Sequence, residues 1–361
     1  MKLVMITPRV GYDNPLLGFI PGWITHLAKY VDHLWVITPR TEPLSLPVNI
    51  SVVQVGRDYS KGETIIHAIN NFHKILWDLT HHKYVDGIFT HMYPIYALMA
   101  IPYARLSNIP IITWYSHGHA SFQIRLASKF VNKIVTASPE SFTLPIKNKV
   151  VIGHGVDTDV FKPLLMQNLR VDNTFRIITV GRLSPVKDCT TLIKAASILI
   201  ENNLRNFKIT FLGSAPSHHQ RYAEELRDLV KMLNLQEKIT FTGPVPNNMI
   251  INYLLENDIF INMQAEGGVG KAVLEAMATG IPCIFCTPAY NSHLNDLRLE
   301  LTYQAGNPDD LADKLQKMFM RSSEERQIIG KKLRQIVLEN YNLDILTKRI
   351  VKLFTELSTN S

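Results

Sequence analysis

Short apolar runs recur along the chain, and longer amphipathic stretches separate them. Residues 3–6, 34–37, 87–89, 111–114 and 134–136 read as strands, because apolar side chains fill successive positions and not alternate ones. A strand patterned this way is buried on both faces. Apolar positions three and four apart predict helices over 21–31, 63–79 and 96–106. After Phe161-Lys162-Pro163 a polar, weakly patterned stretch runs to Asn173 and reads as a linker. The alternation then restarts, with strands expected at 176–180, 208–212, 239–242, 259–262 and 282–285. Helices are expected at 187–200, 221–233 and 271–279.

Strands alternating with helices specify parallel sheets wrapped by helices. The expected fold class is α/β, two doubly wound Rossmann-like domains, 1–163 and 174–340. A terminal segment, 341–361, carries an amphipathic helix at 343–357 able to cross back to the first domain. In such sheets ligands lie outside the carboxyl ends of the strands, and the cleft between two domains is the expected site.

The 361-residue length agrees with two domains, since single cores stop growing near roughly 250–300 residues. With 46% hydrophobic and 19% charged residues, the composition excludes a disordered chain. A formal charge of +7 favours anionic partners: nucleic acid, acidic lipid or phosphorylated ligands. Cys283 and Cys286 form a CxxC inside Ile-Pro-Cys-Ile-Phe-Cys, which reads as buried strand. No second Cys/His pair gives zinc spacing, so these residues and Cys189 read as structural and the compartment as reducing. No apolar run approaches the about 20 residues of a membrane span. The expectation is a cytoplasmic protein, with peripheral contact to the inner face of a membrane left open.

Candidate chemistry concentrates in Glu266-Gly267-Gly268-Val269-Gly270-Lys271, which follows a strand and opens a helix. Glycines admit a ligand close to the backbone, and the free N–H groups of a helix start suit a phosphate. Glu275 lies about one turn further on, where a carboxylate can accept from paired hydroxyls such as those of a ribose. A P-loop is excluded, since it needs Gly at Ala265 and Ser or Thr at Ala272. A second group, Gly181-Arg182-Leu183-Ser184-Pro185-Val186-Lys187, also lies between a strand and a helix. Two fixed cations there can neutralise a leaving diphosphate.

Glu275-Ala-Met-Ala-Thr-Gly-Ile-Pro282, preceded by the glycine loop, resembles the donor-site motif of the retaining GT-B glycosyltransferases of family four. That family carries two glutamates flanking seven residues. Glu275 matches the second, Gly267 holds the position of the first, and Glu266 stands one residue early. The resemblance implies donor binding by Gly181, Gly243, Val245, Glu266, Gly267, Gly268, Val269, Gly270, Lys271 and Glu275, with Arg182 and Lys187 clamping the diphosphate. Gly155-Val156-Asp157 to Pro163, Leu212-Gly213-Ser214 and Phe241-Thr-Gly-Pro-Val245 extend the likeness.

In the first domain the loop 8–22 resembles the family's phosphate- and acceptor-facing loop, with Gly22 keeping one of its paired glycines and Gly18 on the acceptor side. In Trp114-Tyr-Ser-His117-Gly-His119, His117 takes the place of the histidine that touches the reacting sugar. His91 and His119 are further acceptor-side candidates. The resemblance implies a metal-independent, retaining transferase with no resident cofactor. Its co-substrate is a nucleoside-diphosphate sugar, and its acceptor hydroxyl belongs to a lipid, a glycan or a small molecule.

Arg125, Lys129 and Lys133 recur every fourth residue, a basic face fit for an anionic membrane or simply a solvated one. Two other function classes are open at this point. A nucleotide-sugar epimerase would need the same clamp on the same scaffold. A basic nucleic-acid-binding protein would need an aromatic-basic recognition motif, which is missing, so no nucleic-acid partner is expected.

Overall fold

The computed structural model describes every residue except Pro15, 57–63, 83–84, 165–171, Gly267 and 360–361. The chain divides into two compact units, Met1–Gly155 with Leu343–Ser361, and Val156–Asn342.

The first unit is built on a parallel sheet of β1 (Lys2–Ile6), β2 (His33–Thr38), β3 (Ile50–Gln54), β4 (Gly87–His91), β5 (Ile111–Trp114), β6 (Lys133–Thr136) and β7 (Lys149–Val151). The strand order is β3-β2-β1-β4-β5-β6-β7. Its helices are α1 (Ile20–Ala28), α2 (Ile65–His81), α3 (Pro94–Leu106) and α4 (Phe122–Ala127), joined by the terminal helix α13 (Leu343–Thr359).

Successive apolar residues of β1 feed two separate cores. Leu3 and Met5 pack with Trp23 and Ile24 of α1 and with Leu346, Ile350 and Phe354 of α13. Val4 and Ile6 pack with Phe72 and Leu76 of α2 and with Ala97 and Ala100 of α3. Phe354 lies so close to β4 that a Cβ on Gly87 would come within 2.5 Å of its ring, so glycine is required there. Helix α13 thus packs into the core of the first unit, and Arg349 fixes it further by donating to the Ile152 carbonyl at 2.8 Å.

The second unit has the parallel sheet β10-β9-β8-β11-β12. Its strands are β8 (Phe175–Val180), β9 (Phe207–Leu212), β10 (Ile239–Gly243), β11 (Ile259–Asn262) and β12 (Cys283–Phe285). Helices α5 (Cys189–Glu201), α6 (Gln220–Met232), α7 (Ile250–Leu255) and α8 (Lys271–Ala278) connect them. Short helices α9 (Asn291–Leu294) and α10 (Arg298–Leu301) then lead to α11 (Pro308–Met320) and α12 (Ser323–Asn340). Residues 156–161 belong to this unit. Val156 donates to the Tyr341 carbonyl at 2.8 Å, and Arg334 of α12 donates to the carbonyls of Phe161 and Ala278.

Both sheets are doubly wound and parallel, as the alternation predicts. Strands β3 and β7 escape the sequence pattern because they are edge strands. Both are half-exposed along most of their length and carry no continuous apolar run. The helix expected from 187 starts at Cys189, because Asp188 adopts a left-handed backbone (φ +44°) that ends a 3₁₀ turn over Pro185–Lys187. Among the described residues, no helix is long and apolar enough to cross a membrane.

Candidate functional site

In the second unit the strand order reverses direction between β8 and β11, which pair directly. The crevice beyond the carboxyl ends of such a pair is where open parallel sheets bind ligands. The two sequence constellations follow these two strands.

Beyond β8, three strand ends are stitched together. Gly181 N–H donates to the Leu212 carbonyl at 2.9 Å, Leu183 N–H to Ser214 at 3.1 Å, and Gly213 N–H to Gly243 at 2.9 Å. Gly213 (φ +140°) packs directly on Gly181, whose carbonyl oxygen would lie 2.0 Å from any added Cβ. This stitching aims the loop carrying Arg182 and Lys187 across the strand ends. Both cations line a small pocket with Phe211 of β9 and with Met263, which follows β11. Arg182 is exposed and Lys187 half-buried. Among the described residues neither has a carboxylate partner. Burial, and then the neighbouring charge of Arg182, hold the Lys187 pKa below its ordinary value. An anion in this pocket would relieve both effects.

Beyond β11 the chain enters the glycine loop and α8. The hydroxyl of buried Tyr290 accepts from Gly270 N–H at 2.9 Å and donates to its carbonyl at 3.2 Å, fixing the residue that caps the helix. The first bond in the helical ladder runs from Leu274 N–H to the Gly270 carbonyl. The amides of Ala272 and Val273 therefore lie outside the ladder, at the positive end of the helix dipole.

Glu275 is only 2% exposed, and its Oε1 meets Lys271 Nζ at 2.8 Å and Asn247 Nδ2 at 3.2 Å. Lys271 and Glu275, expected as separate donor contacts, form an ion pair one helical turn long. Burial lowers the Lys271 pKa and Glu275 opposes that shift.

The remaining expected donor residues are placed as follows. Gly243 closes β10 in a left-handed conformation (φ +85°), and Val245 packs half-buried against the core. Glu266 is exposed, and its carbonyl accepts from Gln264 Nε2 at 2.6 Å. Gly268 and Val269 are half-buried, while Gly267 lies outside the described residues.

In the first unit, His117 and His119 are exposed beyond β5. The His117 ring lies 5.4 Å from that of Tyr115, whose hydroxyl donates to the His119 carbonyl at 2.7 Å. His91, at the end of β4, is fully buried between the rings of Phe19 and Trp23. Its Nδ1 meets Thr7 Oγ1 at 3.3 Å, and its Nε2 has no partner. Burial, and then the nearby His154, lower its pKa to about 3, so the ring is neutral. His91 reaches no solvent as placed.

Gly18 is buried and donates to the Asn14 carbonyl at 2.8 Å. Gly22 lies in the first turn of α1 and not in the preceding loop. Pro21, with its fixed φ, suits the helix start, so α1 begins ahead of the glycine. The expected helical face of Arg125, Lys129 and Lys133 does not form. Helix α4 ends at Ala127, Lys129 lies in the turn beyond it, and Lys133 begins β6.

Residues 162–336 match the family model described as "Glycosyl transferases group 1". This segment, just under half of the chain, resembles a group 1 glycosyl transferase domain. The segment contains both constellations, Arg182 with Lys187 and the loop leading to Glu275. Over 209 residues the chain is 26% identical to the UDP-Gal:alpha-D-GlcNAc-diphosphoundecaprenol alpha-1,3-galactosyltransferase of Escherichia coli, covering 50% of this chain and 52% of that protein. It is 25% identical to the sulfoquinovosyl transferase SQD2 of Arabidopsis thaliana over 207 residues, covering 54% of this chain and 38% of the relative. The chain spans about half or less of the length of these curated relatives.

In fold it resembles Anabaena HepE, solved in complex with UDP and glucose, with a TM-score of 0.75 at 16% identity over 98% of this chain and 99% of the other. A glycosyltransferase from Rickettsia africae matches at the same TM-score and 19% identity, over 100% and 99% of the two chains.

Sequence reasoning missed Asn247 and Tyr290. Neither lies in a motif. Each reaches the site from a different loop, 28 and 20 residues away from its partner, so only the fold brings them in. Asp188 carried a local signal, since Asp tolerates the left-handed backbone its turn needs.

Proposed function

We propose that this chain transfers a sugar from a nucleoside-diphosphate sugar to an acceptor hydroxyl, with retention at the sugar carbon and without a metal ion. The observation that carries the reading is the pair Arg182 and Lys187, two cations without carboxylate partners among the described residues, beside the switch point of the sheet. A diphosphate would occupy that place, with the start of α8 as a further source of positive potential. The uridine nucleotides named for the Anabaena and Escherichia coli proteins favour a uridine diphosphate donor.

In this reading the second unit binds the donor. Negative charge grows on the diphosphate as its bond to the sugar breaks, and Arg182 and Lys187 stabilise it there. Glu275 accepts from the ribose hydroxyls, with Asn247 and Lys271 holding its carboxylate in place. Gly243 and Val245 face the base, and Glu266, Gly268, Val269 and Gly270 face the sugar. The residues expected on the acceptor side, Gly18 and His119, belong to the first unit, as do His117, expected at the reacting sugar, and Gly22, expected at the donor phosphates. Attack on the face the diphosphate leaves keeps the configuration and needs no protein nucleophile. The acceptor is a lipid, a glycan or a small molecule.

Thermal unfolding with UDP and a panel of UDP-sugars tests the donor site, with EDTA present throughout. A donor at a hundred times its Kd should stabilise the chain by about 2.7 kcal/mol. Lys187→Ala and Arg182→Ala should each abolish most of that shift and cut transfer roughly 100- to 1000-fold. A full shift in both variants would exclude the donor assignment. Activity lost in EDTA and restored by magnesium would exclude the metal-free route.

A further inference from the structure

An open groove of about 460 Å³ lies in the first unit, between α4 with the turn that follows it and residues 144–148. The turn leads into the amino end of β6, and residues 147–148 lead into the amino end of β7. The groove therefore extends toward the amino ends of these strands, whereas His117 and His119 follow the carboxyl end of β5. Leu144 and Ile146 give it an apolar wall, and Arg125, Lys129 and Lys147 bring three cations to it.

No acidic residue lines the groove, and among the described residues none of the three cations has a carboxylate partner. Arg125 Nε donates only to the Ala120 carbonyl, at 3.1 Å. Between positions 120 and 151 the chain carries five Lys or Arg and one carboxylate, Glu140, so much of the net positive charge of the protein gathers here. Phe122 on α4 is 78% exposed, and Phe130 in the turn is 44% exposed.

We infer that this groove is a docking site for an anionic phospholipid at a bilayer surface. A phosphodiester headgroup complements three cations that the protein leaves unmatched. The apolar wall and the exposed rings fit acyl chains and the bilayer interface, which a free phosphate would leave uncovered. Lys133, on β6, does not line the groove, so its contribution is only that of a nearby charge.

Vesicle co-sedimentation of the full chain, with phosphatidylcholine alone or mixed with phosphatidylglycerol, tests the inference. Binding should need phosphatidylglycerol and weaken as salt is added. Each cation removed should weaken it roughly fivefold, so Arg125→Ala/Lys129→Ala/Lys147→Ala should lose about a hundredfold. Lys129→Glu/Lys147→Glu spares the Arg125 bond to Ala120 and should lose as much with its circular dichroism unchanged. Phe122→Ser should also weaken binding, and Lys133→Ala should weaken it less than Lys147→Ala. Vesicle binding unchanged in both multiple variants would overturn the inference. So would glycerol phosphate competing as strongly as vesicles do, or RNA binding that the variants lose while vesicle binding is absent.

Discussion

Lys187 and His91 are both basic groups whose pKa burial lowers, yet they sit in opposite surroundings. Lys187 borders a pocket and another cation, so an incoming anion can repay its desolvation. His91 is sealed between two aromatic rings and stays neutral. Its proton equilibrium therefore bears on stability. The unfolded histidine takes a proton near 6.5 and the folded one only near 3. Between those values protonation favours the unfolded chain. Stability should be complete above about 6.5 and fall by about 1.4 kcal/mol per pH unit as acid is added, down to about 3. Urea unfolding at pH 7 and pH 5 should show this loss in the native chain and a smaller one in His91→Gln. Equal losses would remove His91 as the source. The contact between Lys271 and Glu275 was legible in principle, since residues four apart on a helix meet. Treating each as a ligand residue hid their pairing. The contact from Asn247 was not legible, because the stretch 241–245 that carries the likeness stops two residues short of it and only the fold brings its side chain to Glu275.

Among the elements, strands covered on both faces were the most legible. Residues 111–114 and 259–262 coincide with β5 and β11, where every successive side chain but Asn262 is buried. Edge strands β3 and β7 were not, since half-exposed backbone tolerates polar residues and breaks the run. The four-residue recurrence of Arg125, Lys129 and Lys133 misled for a different reason. Helical spacing in a sequence does not prevent the helix from ending, and here a turn and a strand take over after Ala127. Helix α13 shows the converse, a pattern at 343–357 that the structure extends only slightly. Its apolar face is part of the first unit's core, through Leu346, Ile350 and Phe354. Phe354→Ala should cost about 3–5 kcal/mol, because the ring fills space that Gly87 leaves for it. Chemical denaturation followed by tryptophan fluorescence would show the loss. All four tryptophans lie in the first unit, so the signal reports on that unit. An unchanged midpoint would mean α13 is not a structural part of it.

For the whole molecule, separate sheets with separate cores predict separate behaviour on heating. The second unit holds Arg182, Lys187, Glu275 and the start of α8, so nucleotide should protect that unit first. Calorimetry should resolve two transitions, with UDP raising one of them. Phe354→Ala should lower the other. A single transition that both perturbations move equally would show that the units melt as one cooperative body. The positive charge is also unevenly shared: the first unit carries 17 Lys and Arg against 10 Asp and Glu, and the second carries 21 of each, so the net +7 belongs to the first unit.

The division of the chain has one more consequence, and it concerns the order of synthesis. The first unit is interrupted in sequence by the 187 residues of the second, from Val156 to Asn342. A ribosome adding roughly 5–20 residues per second needs about 10–40 seconds to make them. During that interval Leu3, Met5, Trp23 and Ile24 exist without the helix that completes their core. The half of the protein that is made first is therefore finished last. While it waits, its uncovered apolar face is a target for chaperones.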